Sequence, residues 1–171
     1  AFPVFHSIAG RDSDTTLPDQ SVDLVSAAQA FHWFEPDAFR QECQRILKPH
    51  GKVLLVWNQR DRTDPVNQTS KAIFAEYCPD FKGFSGGISL VDARIAKFFS
   101  QGYELLQFQY PIFYTREGYI GRCLSASYAI LPDNPRYDAF VAALGQVFDQ
   151  FQQDGKLLLS NTTVFHLGSV I

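Results

Sequence analysis

Two apolar runs in this chain each end on residues that can do chemistry. Val22-Asp23-Leu24-Val25 passes through Ala27-Ala28 to Gln29-Ala30-Phe31-His32-Trp33, and Val53-Leu54-Leu55-Val56-Trp57 ends in Asn58-Gln59-Arg60-Asp61. An imidazole titrates near neutral pH, so His32 is the candidate general base or hydrogen-bond partner of a substrate; a lone structural histidine is the alternative. Asn58 and Arg60 either orient a polar substrate or belong to a surface loop. Arg60 suits a carboxylate, because its planar fork offers parallel donors. The cysteines Cys43, Cys78 and Cys123 form no Cys-x-x-Cys pair. Neither a zinc site nor a disulfide framework is indicated, and no metal is expected.

Both apolar runs read as buried strands of a parallel sheet covered on both faces. Between them Glu35-Pro36-Asp37 opens a helix with Phe39, Cys43, Ile46 and Leu47 on one stripe, and Lys48-Pro49-His50-Gly51 ends it. Strand, helix and strand make a βαβ unit. Open α/β sheets place ligands at the carboxyl ends of their strands, where the second run's polar cluster stands. Elsewhere the pattern predicts a strand over 2–8, a helix over 65–77 and a glycine-rich loop over 83–87. It continues with a helix over 92–99, a long strand over 103–113 and a short helix from Thr115 towards Tyr128. A helix over 134–153 and a strand over 162–171 complete it. The class is α/β, with no linker that would mark a second domain.

Composition narrows the partners. The chain has 171 residues, 46% hydrophobic and 19% charged, which is globular. Sixteen phenylalanines predict a large aromatic core or an apolar pocket. A net charge of −3 and a pI near 5.8 argue against non-specific nucleic-acid binding. No apolar stretch approaches the ~20 residues needed to span a bilayer. Three scattered cysteines fit a reducing, cytoplasmic compartment. The chain starts at Ala1 and has no methionine, so it is expected to be part of a longer product.

The segment Leu17-Pro18-Asp19-Gln20-Ser21-Val22-Asp23-Leu24-Val25, its continuation Ala28-Gln29-Ala30-Phe31-His32-Trp33-Phe34, then Phe39-Arg40, Arg45-Ile46-Leu47-Lys48-Pro49-His50-Gly51-Lys52 and Val53-Leu54-Leu55 together resemble a known family. It is the class I S-adenosylmethionine-dependent methyltransferases, in the small-molecule group called methyltransferase type 11. The resemblance is dense over residues 10–60. His50 stands where the family has the first glycine of Leu-Lys-Pro-Gly-Gly. The resemblance implies a Rossmann-like sheet in order 3-2-1-4-5-7-6, mostly parallel with its last strand antiparallel. Residues 2–8 would be its strand 3, 22–28 strand 4, 52–57 strand 5, the Tyr103 region strand 6 and the C-terminal segment strand 7. Strands 1 and 2, with the glycine loop and the ribose-binding acid of the cofactor site, are not in the chain. Strands 3 and 4 of that order lie about 14 Å apart, three spacings of ~4.8 Å. On this reading residues 1–171 are the C-terminal part of one methyltransferase domain. Residues 10–60 would run from the adenine loop to strand 5, and 61–171 would form the substrate side.

The site residues follow from the same resemblance. Asp12 and Ser13 would lie at the adenine, Asp12 being otherwise a solvated loop acid. Ala28 and Gln29 would touch the cofactor through their backbone. His32 would serve the acceptor, and Trp33 would wall the pocket or pack under the next helix. Asn58, Arg60 and Tyr128 would contact a small-molecule acceptor. The protein would be a monomer or homodimer. Methyl transfer from a sulfonium needs in-line positioning and desolvation more than an acid–base triad. Two other readings stand beside it: a non-catalytic remnant acting as a binding or assembly module, and an unrelated α/β enzyme such as a nucleotide-dependent dehydrogenase, which lacks support from any phosphate-binding glycine loop.

Overall fold

A computed structural model of the chain describes residues 4–84 and 92–171. In chain order the elements are β1 (Val22–Ala28), a 3₁₀ turn (Phe31–Trp33), α1 (Pro36–Ile46), β2 (Leu47–Arg60), α2 (Pro65–Tyr77), α3 (Ala93–Phe98), β3 (Tyr103–Gln109), β4 (Ile112–Tyr114), α4 (Arg116–Leu124), α5 (Tyr137–Phe151), β5 (Leu157–Leu159) and β6 (Asn161–Gly168). The chain divides into two compact units: Ala1–Trp57 with Ser89–Leu106 and Val164–Ile171, and Asn58–Ile88 with Gln107–Thr163. Gly86 and Gly87 of the expected glycine-rich loop lie outside the described residues.

Four strands form a sheet in the order β1-β2-β6-β3. β1 and β2 are parallel, so the expected βαβ unit is present. Thr163 Oγ1 donates to Asn58 Oδ1 at 2.7 Å, and beyond the strand ends the Asp61 N–H donates to the Ser160 carbonyl at 3.0 Å. One strand advances while the other recedes, so β6 is antiparallel to β2. This is the expected 4-5-7-6 order with its last strand reversed, a Rossmann-like α/β arrangement.

α1 begins at Pro36, where a missing N–H is harmless, and carries Asp37 at the positive end of its dipole. It buries Phe39, Cys43 and Ile46, and also Glu42. The helix passes directly into β2, and Lys48-Pro49-His50-Gly51 forms a bulge in that strand rather than a separate stop. Val22 pairs with Leu47 and Leu24 with Lys52, so a short step on β1 spans the whole bulge. A Cβ at Gly51 would come 2.7 Å from Leu47 Cδ2 and 3.1 Å from the Lys48 carbonyl oxygen, which explains the glycine. His50 is exposed, so a side chain fits there without strain.

Residues 4–8 form no strand, contrary to the expectation for 2–8, and Val4, Phe5 and Ile8 are exposed. Phe2 and Pro3 lie outside the described residues. A strand persists by pairing its N–H and C=O groups, and the expected order places two further strands between this segment and β1. β1 is also less covered than its apolar run implies. It is an edge strand, and Leu24 is 51% exposed.

The second unit packs α2, α4 and α5 with the antiparallel pair β4–β5, in which Ile112 pairs with Leu159 and Tyr114 with Leu157. The long strand expected over 103–113 splits at Tyr110-Pro111, because proline cannot donate to a ladder. α2 starts at Pro65 behind Asp64, whose Oδ1 accepts from the Val66 N–H (2.8 Å) and the Asn67 N–H (3.1 Å). α5 starts at Tyr137, later than expected, because Asn134 Oδ1 takes the Arg136 N–H at 2.9 Å and holds a turn. The core gathers Phe74, Tyr119, Phe140, Leu144, Val147 and Leu157. Tyr119 and Ser70 hydroxyls meet at 2.7 Å inside it. Cys43, Cys78 and Cys123 are all free and buried.

Candidate active site

In the first unit the residues of interest gather at the carboxyl end of β1. Ala28 and Gln29 are exposed there. Gln29 takes a left-handed backbone conformation (φ 54°), and its N–H donates to the Val56 carbonyl at 2.9 Å, which ties the turn to β2. Phe31 is the anchor. It is 1% exposed, with its ring centroid 5.1 Å from Phe98 and 6.2 Å from both Trp57 and Phe39. Burying Phe31 presents its neighbours outward. His32 is half-buried, with Nδ1 buried and without a hydrogen-bond partner among the described residues. Burial, then the Arg94 guanidinium, lowers the His32 pKa from its ordinary value. The ring is therefore neutral at pH 7 and able to accept a proton. Trp33 is 74% exposed, its ring 4.9 Å from that of His32, so it does not pack under α1.

Asp12 and Ser13 are the central residues of a tight turn in which Arg11 and Asp14 exchange backbone hydrogen bonds of 2.8 and 3.1 Å. Asp12 is half-buried and Ser13 exposed. The chain after the turn is held by Glu42, whose Oε1 accepts from the Thr15 N–H (2.8 Å) and Thr15 Oγ1 (2.6 Å). Arg45 donates to both Glu42 oxygens, at 2.7 and 2.9 Å, and to the Leu17 carbonyl at 2.8 Å. The Arg45 hydrogen bonds first, then those of Thr15, hold the Glu42 carboxyl at a pKa of about 2 against the opposing effect of burial. Sequence reasoning passed over Glu42. Its signal was an acid lying among the buried positions Phe39, Cys43 and Ile46 of one helical stripe.

Asn58, Arg60 and Tyr128 belong to the second unit. Asn58 is exposed, with its carbonyl oxygen engaged by Thr163. Arg60 lines a cavity of about 640 Å³ together with Gln59, Arg62, Lys71, Lys82 and Phe84. Its guanidinium carbon lies 3.8 Å above the centre of the Phe84 ring. Tyr128 is half-buried, its ring 5.2 Å from Phe74 and 5.0 Å from Phe81. Burial raises the Tyr128 phenol pKa and the Arg60 charge opposes that rise, so the two side chains share one electrostatic environment. The structure thus brings together Ala28, Gln29, His32 and Trp33 in one place, and Arg60 with Tyr128 in another. Lys71, Lys82 and Phe84 were not anticipated; Lys71 comes from α2 and the other two from the segment after it, and only the Asn58-Gln59-Arg60-Asp61 cluster hinted at them.

Among the described residues no helix is long and apolar enough to cross a membrane, and no cluster of three His, Cys, Asp or Glu could hold a metal ion.

Residues 3–55 match the family model described as a methyltransferase domain. An uncharacterised methyltransferase-like protein of Schizosaccharomyces pombe is 43% identical over 83 residues, which is 48% of this chain and 32% of its own length. An uncharacterised methyltransferase of Mycobacterium tuberculosis is 43% identical over 61 residues, 36% of this chain and 25% of its own. This chain therefore spans at most 32% of the length of these relatives. In fold it is similar to a protein of Anaeromyxobacter dehalogenans described as a type II methyltransferase, with a TM-score of 0.67 at 19% identity over 100% of this chain and 74% of that one. A protein of Anabaena variabilis described as a methyltransferase from an antibiotic biosynthesis pathway gives a TM-score of 0.61 at 14% identity, over 97% of this chain and 74% of that one. The similarity to methyltransferases is thus carried in sequence by residues 3–55, and the fold of the whole chain is similar to that of solved proteins described as methyltransferases.

Proposed function

We propose that this protein transfers a methyl group from S-adenosylmethionine to a small-molecule acceptor. One observation carries the reading: the family match over residues 3–55 falls on β1, α1 and the start of β2, the elements that present His32 and Trp33 at a strand's carboxyl end. Bound S-adenosylmethionine supplies an electrophilic methyl on a sulfonium. The residues present fit the acceptor-facing side of such a donor. His32 offers a buried, unpartnered nitrogen on a neutral ring, and Trp33 offers an exposed aromatic wall. Ala28 and Gln29 would hold the methionine end, and Asp12 and Ser13 the adenine. Asn58, Arg60 and Tyr128 would contact the acceptor. Positioning and exclusion of water do most of the work, and His32 accepts a proton where the acceptor must lose one.

On this proposal residues 1–171 are the C-terminal part of a single domain, whose glycine loop and ribose-binding acid these residues do not supply. The compartment is cytoplasmic. A second reading, a non-catalytic module for binding or assembly, draws on the open edge of β1, where Leu24 is 51% exposed.

Calorimetric titration with S-adenosylmethionine and its demethylated product tests the proposal. Binding is expected of the intact protein, and none at millimolar ligand overturns the proposal. His32→Ala is expected to lower turnover at least about tenfold while leaving donor affinity within about twofold. Equal loss of both would assign His32 to the donor site or to the fold.

A further inference from the structure

We infer that the cavity of the second unit is an oxyanion site: Arg60 grips a carboxylate or phosphate carried by a small organic ligand, and under the methyl-transfer reading that ligand is the acceptor. Only the acceptor role rests on that reading; the residues that meet the anion all lie in the second unit.

The chain carries a net charge of −3, yet the cavity wall collects Arg60, Arg62, Lys71 and Lys82 against one carboxylate, Asp61. Asp61 is already engaged. Its Oδ1 accepts the Thr63 N–H at 2.8 Å and the Thr63 hydroxyl at 2.7 Å. Stacking on Phe84 occupies a face of the Arg60 guanidinium and leaves its in-plane N–H groups pointing outward from the edge. One of these nitrogens, Nη1, is buried with no hydrogen-bond partner among the described residues, and so is Gln59 Nε2 on the same wall. A buried unpaired cation and an unmet amide donor are both costly. An oxyanion entering the cavity would meet the outward edge of the guanidinium, which the Phe84 ring already holds in one orientation for bidentate contact.

Burial depresses the Arg60 pKa, and the nearby Arg122 charge depresses it further. An anion would reverse both effects. At about 640 Å³ the cavity is larger than a bare ion needs and falls within the range of small-molecule pockets, ~300–1,000 Å³. Phe81 and Phe84 provide apolar wall for the body of the ligand.

The test uses three probes with one apolar body: benzoate, phenyl phosphate and benzamide, each titrated calorimetrically into the unaltered chain. At least one anion is expected to bind tenfold or more tightly than benzamide, and the tighter anion identifies the group. Arg60→Gln is expected to abolish that preference, and Arg60→Lys, which keeps charge without the fork, to retain only part of it. Benzamide binding as well as both anions overturns the inference, as does a preference that survives Arg60→Gln in a folded variant. Should Arg60→Gln not fold by circular dichroism, the probe comparison on the unaltered chain still decides. Titration of S-adenosylmethionine and of the same three probes into the intact protein separates the two readings. Donor binding without anion preference removes the oxyanion site and leaves methyl transfer standing. Anion preference without donor binding does the reverse.

Discussion

Phe74→Ala is expected to destabilise the second unit by about 3–5 kcal/mol, the range for deleting a buried phenylalanine ring. Phe74 is fully buried, and four rings surround it: Tyr128 at 5.2 Å, Phe81 at 5.4 Å, Phe140 at 5.5 Å and Phe84 at 5.8 Å between centroids. Three of those pairs are edge-to-face, the geometry that adds to simple area burial. No single neighbour can move into the space without leaving another ring. The cavity term therefore adds to the transfer term. Urea denaturation followed by circular dichroism measures the loss, and a change below about 1 kcal/mol would contradict this packing. The effect reaches the cavity wall, because Phe84 is one of the four and carries the Arg60 guanidinium on its face.

Glu42→Ala is expected to cost about 2–3 kcal/mol, since it strips charge-assisted hydrogen bonds from Thr15 and Arg45 together. Glu42→Gln should cost less, because one carboxamide oxygen can still receive Thr15. The pH dependence has a definite sign. The Glu42 carboxyl has a pKa of about 2 in the folded chain against an ordinary 4.5, so the unfolded chain binds its proton first as pH falls. Its contribution is complete above about pH 4.5 and is lost as the pH drops towards about 2. Denaturation midpoints at pH 7, 4.5 and 3 measure this, and Glu42→Gln should flatten the slope below pH 4.5. Because Thr15 lies just beyond the Asp12-Ser13 turn, amide exchange at Arg11 and Asp14 should quicken in the alanine variant. An unchanged exchange rate would show that the turn holds itself.

Most of the sheet was legible because its signals are local. The apolar run ending at Ala28, the proline-led start of α1 and the run ending at Trp57 each specify an element without help from the rest of the chain. The resemblance then supplied the order of strands, which periodicity alone cannot give. What the sequence hid was set by pairing partners and by distance along the chain. Residues 4–8 have a strand's composition but pair with no strand among the described residues. Leu157–Leu159 is too short to announce itself and exists as a strand because Ile112–Tyr114 lies opposite. At the site, His32 and Arg60 stood out as polar residues following apolar runs. The environment that gives Arg60 its character came from Phe84, Lys71 and Lys82, residues whose convergence no window of sequence contains.

The three buried thiols make the chain its own stability gauge. Burial pushes Cys43 up to about 12 and raises Cys78 and Cys123, so in the closed fold almost no thiolate exists to attack an alkylating reagent. Each sulfur reacts only in the instants when its surroundings open, and its labelling rate is a clock for that opening. Cys43 lies in the first unit, Cys78 and Cys123 in the second. Mass spectrometry of pulse-alkylated chain would thus read the two units as separate free energies from one sample, with no probe added and no residue changed.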